Sequence, residues 1–282
     1  MLVLEKDNIK ILVSINPFEI KSIKFENKEI LYQQENNWKK TWPILFPICG
    51  TLKSNLKVDG KEIFLKRHGF FNEIIDWKIL EHSQKGILTE FISKDKLINQ
   101  FPYKFKILLD LQIINNQINF DITIENIDNK KMFFSFGHHP GFIINDNTEI
   151  IFNKKQQYCS DFKRGLIISK QSNFFEIEKL NKNDLSFKNS DSYLVRENNC
   201  DRVSIKNDFV EYELIFENYK SLILWSESNE ANFLCIEPWN GLPDFEEKKS
   251  DELKDKEGIL KLEVNEIKKF EYKIIFKNGE QN

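Results

Sequence analysis

Phe105-Lys106-Ile107-Leu108-Leu109-Asp110-Leu111-Gln112-Ile113 is the stretch on which the fold class turns. Every second residue from Phe105 to Ile113 is apolar, while Lys106, Asp110 and Gln112 take three of the four positions between them. A period of two sends one set of side chains to each face of an extended strand. Asn115-Asn116 supplies a turn, after which Ile118 to Asn126 resumes the pattern. Asp128-Asn129 turns the chain again into Lys131 to Phe136, and Gly86 to Ser93 precedes the whole run in the same style. Strands at this spacing, with few helical stretches, predict a sandwich or a barrel.

The flanks extend the reading. Ile9 to Ile15 and Glu19 to Glu26 alternate apolar and polar residues around Asn16-Pro17, a hairpin, and Asn27-Lys28 turns the chain into a third strand from Glu29 to Tyr32. Trp42 to Leu52 is apolar but interrupted by Pro43, Pro47 and Gly50, which excludes a long helix and a central strand and predicts a buried loop. Thr148 to Phe152, Val203 to Lys206, Glu211 to Glu217, Ser221 to Trp225, Gly258 to Val264 and Lys269 to Lys277 read as further strands. Asp244 to Glu257 is expected as a charged surface helix. The pattern gives about eighteen strands in all. At 282 residues, with no linker, low-complexity tract or repeat, the chain is expected to fold as one domain, 1–282.

Composition excludes several classes of function. A net charge of −3 with both signs interspersed offers no field for a nucleic-acid backbone. Cys49, Cys159, Cys200 and Cys235 are widely separated, show no zinc-ligand spacing, and read as reduced thiols. Met1 to Lys6 becomes charged almost at once, without the apolar run of a signal peptide or membrane span. The expectation is a soluble, cytoplasmic protein with no membrane partner, monomeric or homodimeric.

Two stretches carry chemistry. In Phe233-Leu234-Cys235-Ile236-Glu237-Pro238-Trp239-Asn240-Gly241 an apolar strand delivers one carboxylate and then meets a proline, which keeps Glu237 extended. Trp239 follows, a flat ring of the sort on which sugar faces stack. Met132 to Phe142 is built on the same plan, with His139 held before Pro140. Alternation puts Phe133, Ser135, Gly137 and His139 on one face and Phe134, Phe136 and His138 on the other, so one histidine of the two can enter a given cleft. His138 reads as a satisfied, partly buried imidazole. His68 stands before Gly69, where the chain can bend sharply.

In order along the chain, Phe46-Pro47-Ile48-Cys49-Gly50, His68-Gly69-Phe70, Gly137 to Phe142 and Cys235 to Gly241 resemble the aldose 1-epimerase (galactose mutarotase-like) family. The likeness is to its shorter bacterial branch, found among Gram-positive lactose-operon proteins. The resemblance implies a large all-β antiparallel supersandwich with few short helices, a sugar cleft on its concave face and no metal or organic cofactor. It implies that Glu237 is the general base at the C1 hydroxyl, that His139 is the general acid at the ring oxygen, and that His68 binds near that oxygen. The pair is expected to work with Glu237 ionised and His139 protonated.

The chain also departs from the family. Thr51 follows Gly50 where an arginine usually holds the sugar, and Lys53 and Arg67 are the cationic candidates to replace it. Asn240 stands where this branch often has an aromatic residue, and Asp244 is the aspartate nearest the motif by sequence. A sugar-binding or sensing module on the same fold, and a hexose 6-phosphate epimerase using Lys53, Lys66 or Arg67, are the alternatives. A metal site from His68, His139 and Glu237 lacks local ligand spacing. A glycoside hydrolase would need Asp244 as its second carboxylate.

Overall fold

Phe105–Ile114 pairs antiparallel with Gln117–Asn126 over ten residues, Phe105 opposite Asn126 and Ile114 opposite Gln117. This register sets Ile107 against Ile124, Leu109 against Ile122 and Leu111 against Phe120, all six essentially inaccessible to solvent. Burying each such side chain contributes roughly 1.5–3 kcal/mol, and a slip by one residue would drive Lys106 and Asp110 into the core. The alternation therefore fixes the register as well as the strand.

The structure, a computed structural model, describes residues 1–35, 38–156, 162–168, 176–187 and 192–277. The two strands above lie in a nine-stranded antiparallel sheet ordered Ile177–Asn181, Glu149–Gln156, Arg202–Lys206, Glu211–Ile215, Ile267–Phe276, Gln117–Asn126, Phe105–Ile114, Gly86–Ile92 and Lys78–Ser83. A second sheet runs Tyr193–Val195, Ser221–Trp225, Phe233–Asn240, Phe136–His138 and Ile44–Leu45, with Gly141–Ile143 also pairing on Phe233–Asn240. A four-stranded meander, Leu2–Lys6 to Lys28–Glu29, contains the expected hairpin, Ile9–Ile15 on Phe18–Phe25. One continuous core joins these layers, drawing Phe18 and Ile23 from the meander, Phe120 and Tyr272 from the large sheet, and Leu234 and Ile236 from the second. The fold is an all-β antiparallel supersandwich.

The described residues hold 25 strands rather than about eighteen, because many connecting pieces of two or three residues also pair. Trp42 to Gly50 is buried throughout, as the loop reading required, and contributes the short strand Ile44–Leu45. The helix expected over Asp244–Glu257 is corrected: only the 3₁₀ turn Leu253–Asp255 forms there. The amide of Asp244 donates to Thr51 O, that of Ile167 to Asp244 O and that of Glu246 to Ile167 O, so this backbone is committed to neighbouring segments and not to helical turns. Lys256, expected to face solvent, turns inward instead. Cys49, Cys200 and Cys235 are free and buried thiols, whereas Cys159 lies outside the described residues. Among the described residues, no helix is long and apolar enough to cross a membrane.

Candidate active site

The second sheet positions the chemistry through its register. Cys235, Glu237 and Trp239 leave one face of Phe233–Asn240, while Leu234 and Ile236 join the main core from the other. Opposite them on the neighbouring strand stand Trp225, Ile223 and Ser221, and on the other side Gly141 faces Cys235 and Gly137 faces Trp239. Glycine is required at position 137 because a β-carbon there would come within 2.6 Å of the Trp239 ring. His139 follows in the same alternation, its amide donating to Pro43 O at 3.0 Å. This brings His139 Nδ1 to 3.3 Å from Glu237 Oε2.

Those two residues are 7% and 1% exposed, and although their atoms are close, neither His139 Nδ1 nor Glu237 Oε2 has a hydrogen-bond partner. An unsatisfied buried polar atom costs about 1–3 kcal/mol, so the pair presents two groups without a partner among the described residues. Burial pushes the Glu237 carboxyl well above the usual carboxylate range, against the opposing Arg67 charge and a hydrogen bond from Trp239. Burial, helped by the Arg67 charge, takes the His139 imidazole down to about 3. The ionised pair expected from the sequence is therefore corrected: as the two groups stand, burial favours the neutral form of each. Each charge is penalised by loss of water, and the off-line contact gives no hydrogen bond to repay it.

His68 reaches the pair from a different loop. His68 and Gly69 both have positive φ, and a β-carbon on Gly69 would lie 2.2 Å from Phe46 O, so only glycine lets the bend press against the Phe46–Gly50 loop. His68 N then donates to Gly50 O, and Gly50 N to His68 Nδ1 at 3.2 Å. Arg67 Nε lies 3.0 Å from His68 Nε2. A neutral imidazole has one free lone pair, so it cannot accept both bonds at once. The Gly50 amide is fixed and the Arg67 side chain is exposed, which leaves Arg67 as the contact that yields. The ring, held well below the ordinary histidine range by burial and then by His139 and Arg67, can turn an Nε2–H into the cleft.

A cleft of about 300 Å³ opens over this group, lined by Trp38, Lys40, Pro43, Leu45, Arg67, His68, Asn72, His139 and Trp225. Trp38 stacks on the His139 ring at 5.3 Å, and Trp225 meets that ring edge-on at 5.6 Å. Trp38 lies where a side chain on Gly141 would have been. The sequence named neither tryptophan. Trp38 stands alone in a polar stretch and Trp225 ends an apolar strand, which are the only signals each gives.

Of the residues expected at the site, Glu237, His139, His68 and Arg67 come together. Trp239 is 3% exposed, with its Nε1–H donating to His138 O at 3.2 Å, so its ring packs beneath the site and the cleft walls are other tryptophans. Asp244 is buried between Lys256 Nζ at 2.6 Å and Lys248 Nζ at 2.8 Å and also accepts from the Lys53 amide. The Lys53 ammonium bonds Glu246 O, and Lys66 pairs with Glu73. These residues do not line the cleft, because each finds a partner nearer its own strand.

His138 faces the core as alternation required, accepting from Trp42 Nε1 at 3.2 Å among Phe120, Phe136, Tyr219 and Tyr272. Burial lowers its imidazole from 6.5 to about 3. Between these values the unfolded chain binds a proton that the native chain refuses, so stability is full above pH 6.5 and falls as pH drops toward 3. The slope from this one residue is about 1.4 kcal/mol per pH unit. Replacing it by glutamine, His138→Gln, is expected to flatten the acid limb by one proton. Urea unfolding at pH 7, 6, 5 and 4 measures the difference, and equal slopes in the two chains would rule it out.

A carboxylate on one strand and an imidazole just past the end of its neighbour, facing one another beneath an aromatic-walled cleft, are the parts that acid–base chemistry requires. The chain belongs to the aldose 1-epimerase family, whose profile matches residues 18–260. Protein LacX (chromosomal) of Lactococcus lactis subsp. lactis is 24% identical over 275 residues, covering 89% of this chain and 90% of that protein. A galactose mutarotase related enzyme from Lactobacillus acidophilus superposes with a TM-score of 0.86 at 22% identity, covering 98% of this chain and 97% of its own. Galactose 1-epimerase from Lactobacillus acidophilus NCFM gives a TM-score of 0.68 at 14% identity, with 98% and 94% covered. These structural likenesses establish the same fold.

Proposed function

We propose that this protein is an isomerase that exchanges the α and β anomers of an aldohexose. The observation that carries the reading is the unpartnered pair, His139 Nδ1 and Glu237 Oε2, buried 3.3 Å apart beside a cleft that admits a sugar. Opening a cyclic hemiacetal removes a proton from the anomeric hydroxyl and delivers one to the ring oxygen. Neither charged intermediate is stable in water, so an acid and a base must act on opposite sides.

In this reading the sugar enters alongside Trp38 and Trp225, which touch each other edge to face at 5.6 Å, and its C1 hydroxyl and ring oxygen give the orphaned groups their hydrogen bonds. That compensates for ionising the pair, with Glu237 one proton poorer as the base and His139 one proton richer as the acid. Ring opening then returns the proton balance to neutral Glu237 and neutral His139. Burial favours this neutral pair, so desolvation assists the opening step. Rotation about C1–C2 and reclosure on the other face reverse the roles. His68 Nε2–H steadies the ring oxygen.

Anomer exchange measured by NMR on glucose, galactose and glucose 6-phosphate tests the proposal. Acceleration on at least one is expected; a folded protein that binds sugar without accelerating exchange would make this a receptor. A phosphorylated substrate is the second reading, favoured by Lys40 and Arg67 on the cleft wall. Both are exposed and neither has an ion-pair partner among the described residues, as a phosphate-accepting rim requires. The tryptophan walls act on binding rather than proton transfer. Trp225→Ala is therefore expected to raise KM about tenfold, close to 1.4 kcal/mol, with a smaller change in kcat. Steady-state kinetics would count against this if kcat alone fell.

A further inference from the structure

Cys235 precedes Glu237 by two residues on one strand, so both side chains project from the same face. Gly141 pairs opposite Cys235 and carries the chain past His139, placing that ring beside them. The outcome is that His139, Cys235 and Glu237 each present one ligand atom within 4.8 Å of the other two. All three are buried, and the His139 Nδ1 and Glu237 Oε2 atoms are the unpartnered ones already described.

One imidazole nitrogen, one thiol sulfur and one carboxylate oxygen form the donor set of a zinc-type ion. Around tetrahedral zinc, with ligands at about 2.0–2.3 Å, donor atoms lie roughly 3.3–3.8 Å apart, a small contraction from the arrangement here. Magnesium and calcium prefer several oxygens and are poorly matched by a sulfur and a single carboxylate.

We propose that His139, Cys235 and Glu237 form an inhibitory site for a thiophilic divalent cation such as Zn²⁺, entered from the sugar cleft, with water as the fourth ligand. Binding involves no redox change: the Cys235 thiol and the Glu237 carboxyl each release a proton to solvent as the sulfur–metal and oxygen–metal bonds form, and His139 contributes its Nδ1 lone pair. The metal occupies both members of the proton-transferring pair, so the occupied protein cannot open a sugar ring. Catalysis itself needs no metal in this scheme, and the ion acts as an off-switch.

The direct test uses Co²⁺ as a coloured stand-in for Zn²⁺ on the full chain stripped with chelator. A cobalt–thiolate charge-transfer band is expected, saturating at one equivalent and lost on adding Zn²⁺. Cys235→Ser and His139→Gln should each weaken Zn²⁺ binding more than tenfold, whereas Cys200→Ser should not. If one variant fails to fold by circular dichroism, the other still decides. Absence of the band in the unmutated chain, or unchanged affinity in a folded Cys235→Ser or His139→Gln chain, would overturn the site. The inhibition arm rests on the 1-epimerase reading. Zn²⁺ at saturating occupancy should abolish anomer exchange and EDTA restore it, while full exchange with the site occupied would refute the switch. Cobalt binding by a chain with no exchange activity would sink the epimerase reading and leave the metal site standing.

Discussion

Glu237→Gln is expected to slow anomer exchange by about 10³-fold, within the roughly 10²–10⁴ that positioned proton transfer supplies. That is about 4 kcal/mol of transition-state stabilisation. The amide keeps the volume and the extended backbone before Pro238 but cannot take the C1 proton. Stability should not suffer. Glu237 is 1% exposed and burial already disfavours its charge, so a neutral isostere removes a penalty and the unfolding midpoint should hold or rise. His139→Gln should cost a similar factor, and the double variant little more than either alone, because the two groups act as one unit. NMR exchange spectroscopy with parallel thermal unfolding reads both quantities. Exchange at the unmutated rate in Glu237→Gln would remove that residue from the mechanism.

The second large effect falls on stability. Asp244→Asn is expected to destabilise the fold by about 3 kcal/mol, the low end for breaking a buried ion pair. Asp244 is 4% exposed and Lys256 8%, and the lysine ammonium has the aspartate as its hydrogen-bonded partner at 2.6 Å. Burial raises the carboxyl, but the Lys256 charge and the bonds from Lys248, Lys256 and the Lys53 amide outweigh it and hold Asp244 below its ordinary value. With the carboxylate gone, Lys256 stays buried without an anion. Its readiness to lose a proton, since burial lowers its own value, caps the cost. If Asp244 instead gripped the sugar, KM would rise with stability unchanged. Urea unfolding together with KM separates the two roles.

Much of the molecule is legible in the residues. Alternation across Phe105–Ile114 determined a strand, its buried face and its pairing, because a period of two has one interpretation when one side must leave water. The same logic separated His138 from His139, and the prolines after His139 and Glu237 marked the two titratable residues, although the strand carrying Glu237 runs on through Pro238 to Asn240 and does not end there. By contrast, Asp244–Glu257 misled because charge density suggested a solvated helix. Its lysines in fact converge on one buried carboxylate whose backbone is already bonded to Thr51 and Ile167.

The sequence by itself determined the fold class and singled out Glu237 and His139 as the titratable residues held before prolines, since local periodicity and proline restriction act between near neighbours. Only the tertiary structure decided what surrounds them. Trp38 and Trp225 lie 187 positions apart, and Arg67 acts on Glu237 across 170. Trp239 and Trp225 leave the same sheet face, so which of them walls the cleft depends on what packs over each along that face, and the protonation of the pair depends on how much water the packed sheets exclude. Those are long-range consequences of pairing and burial, and no local pattern carries them.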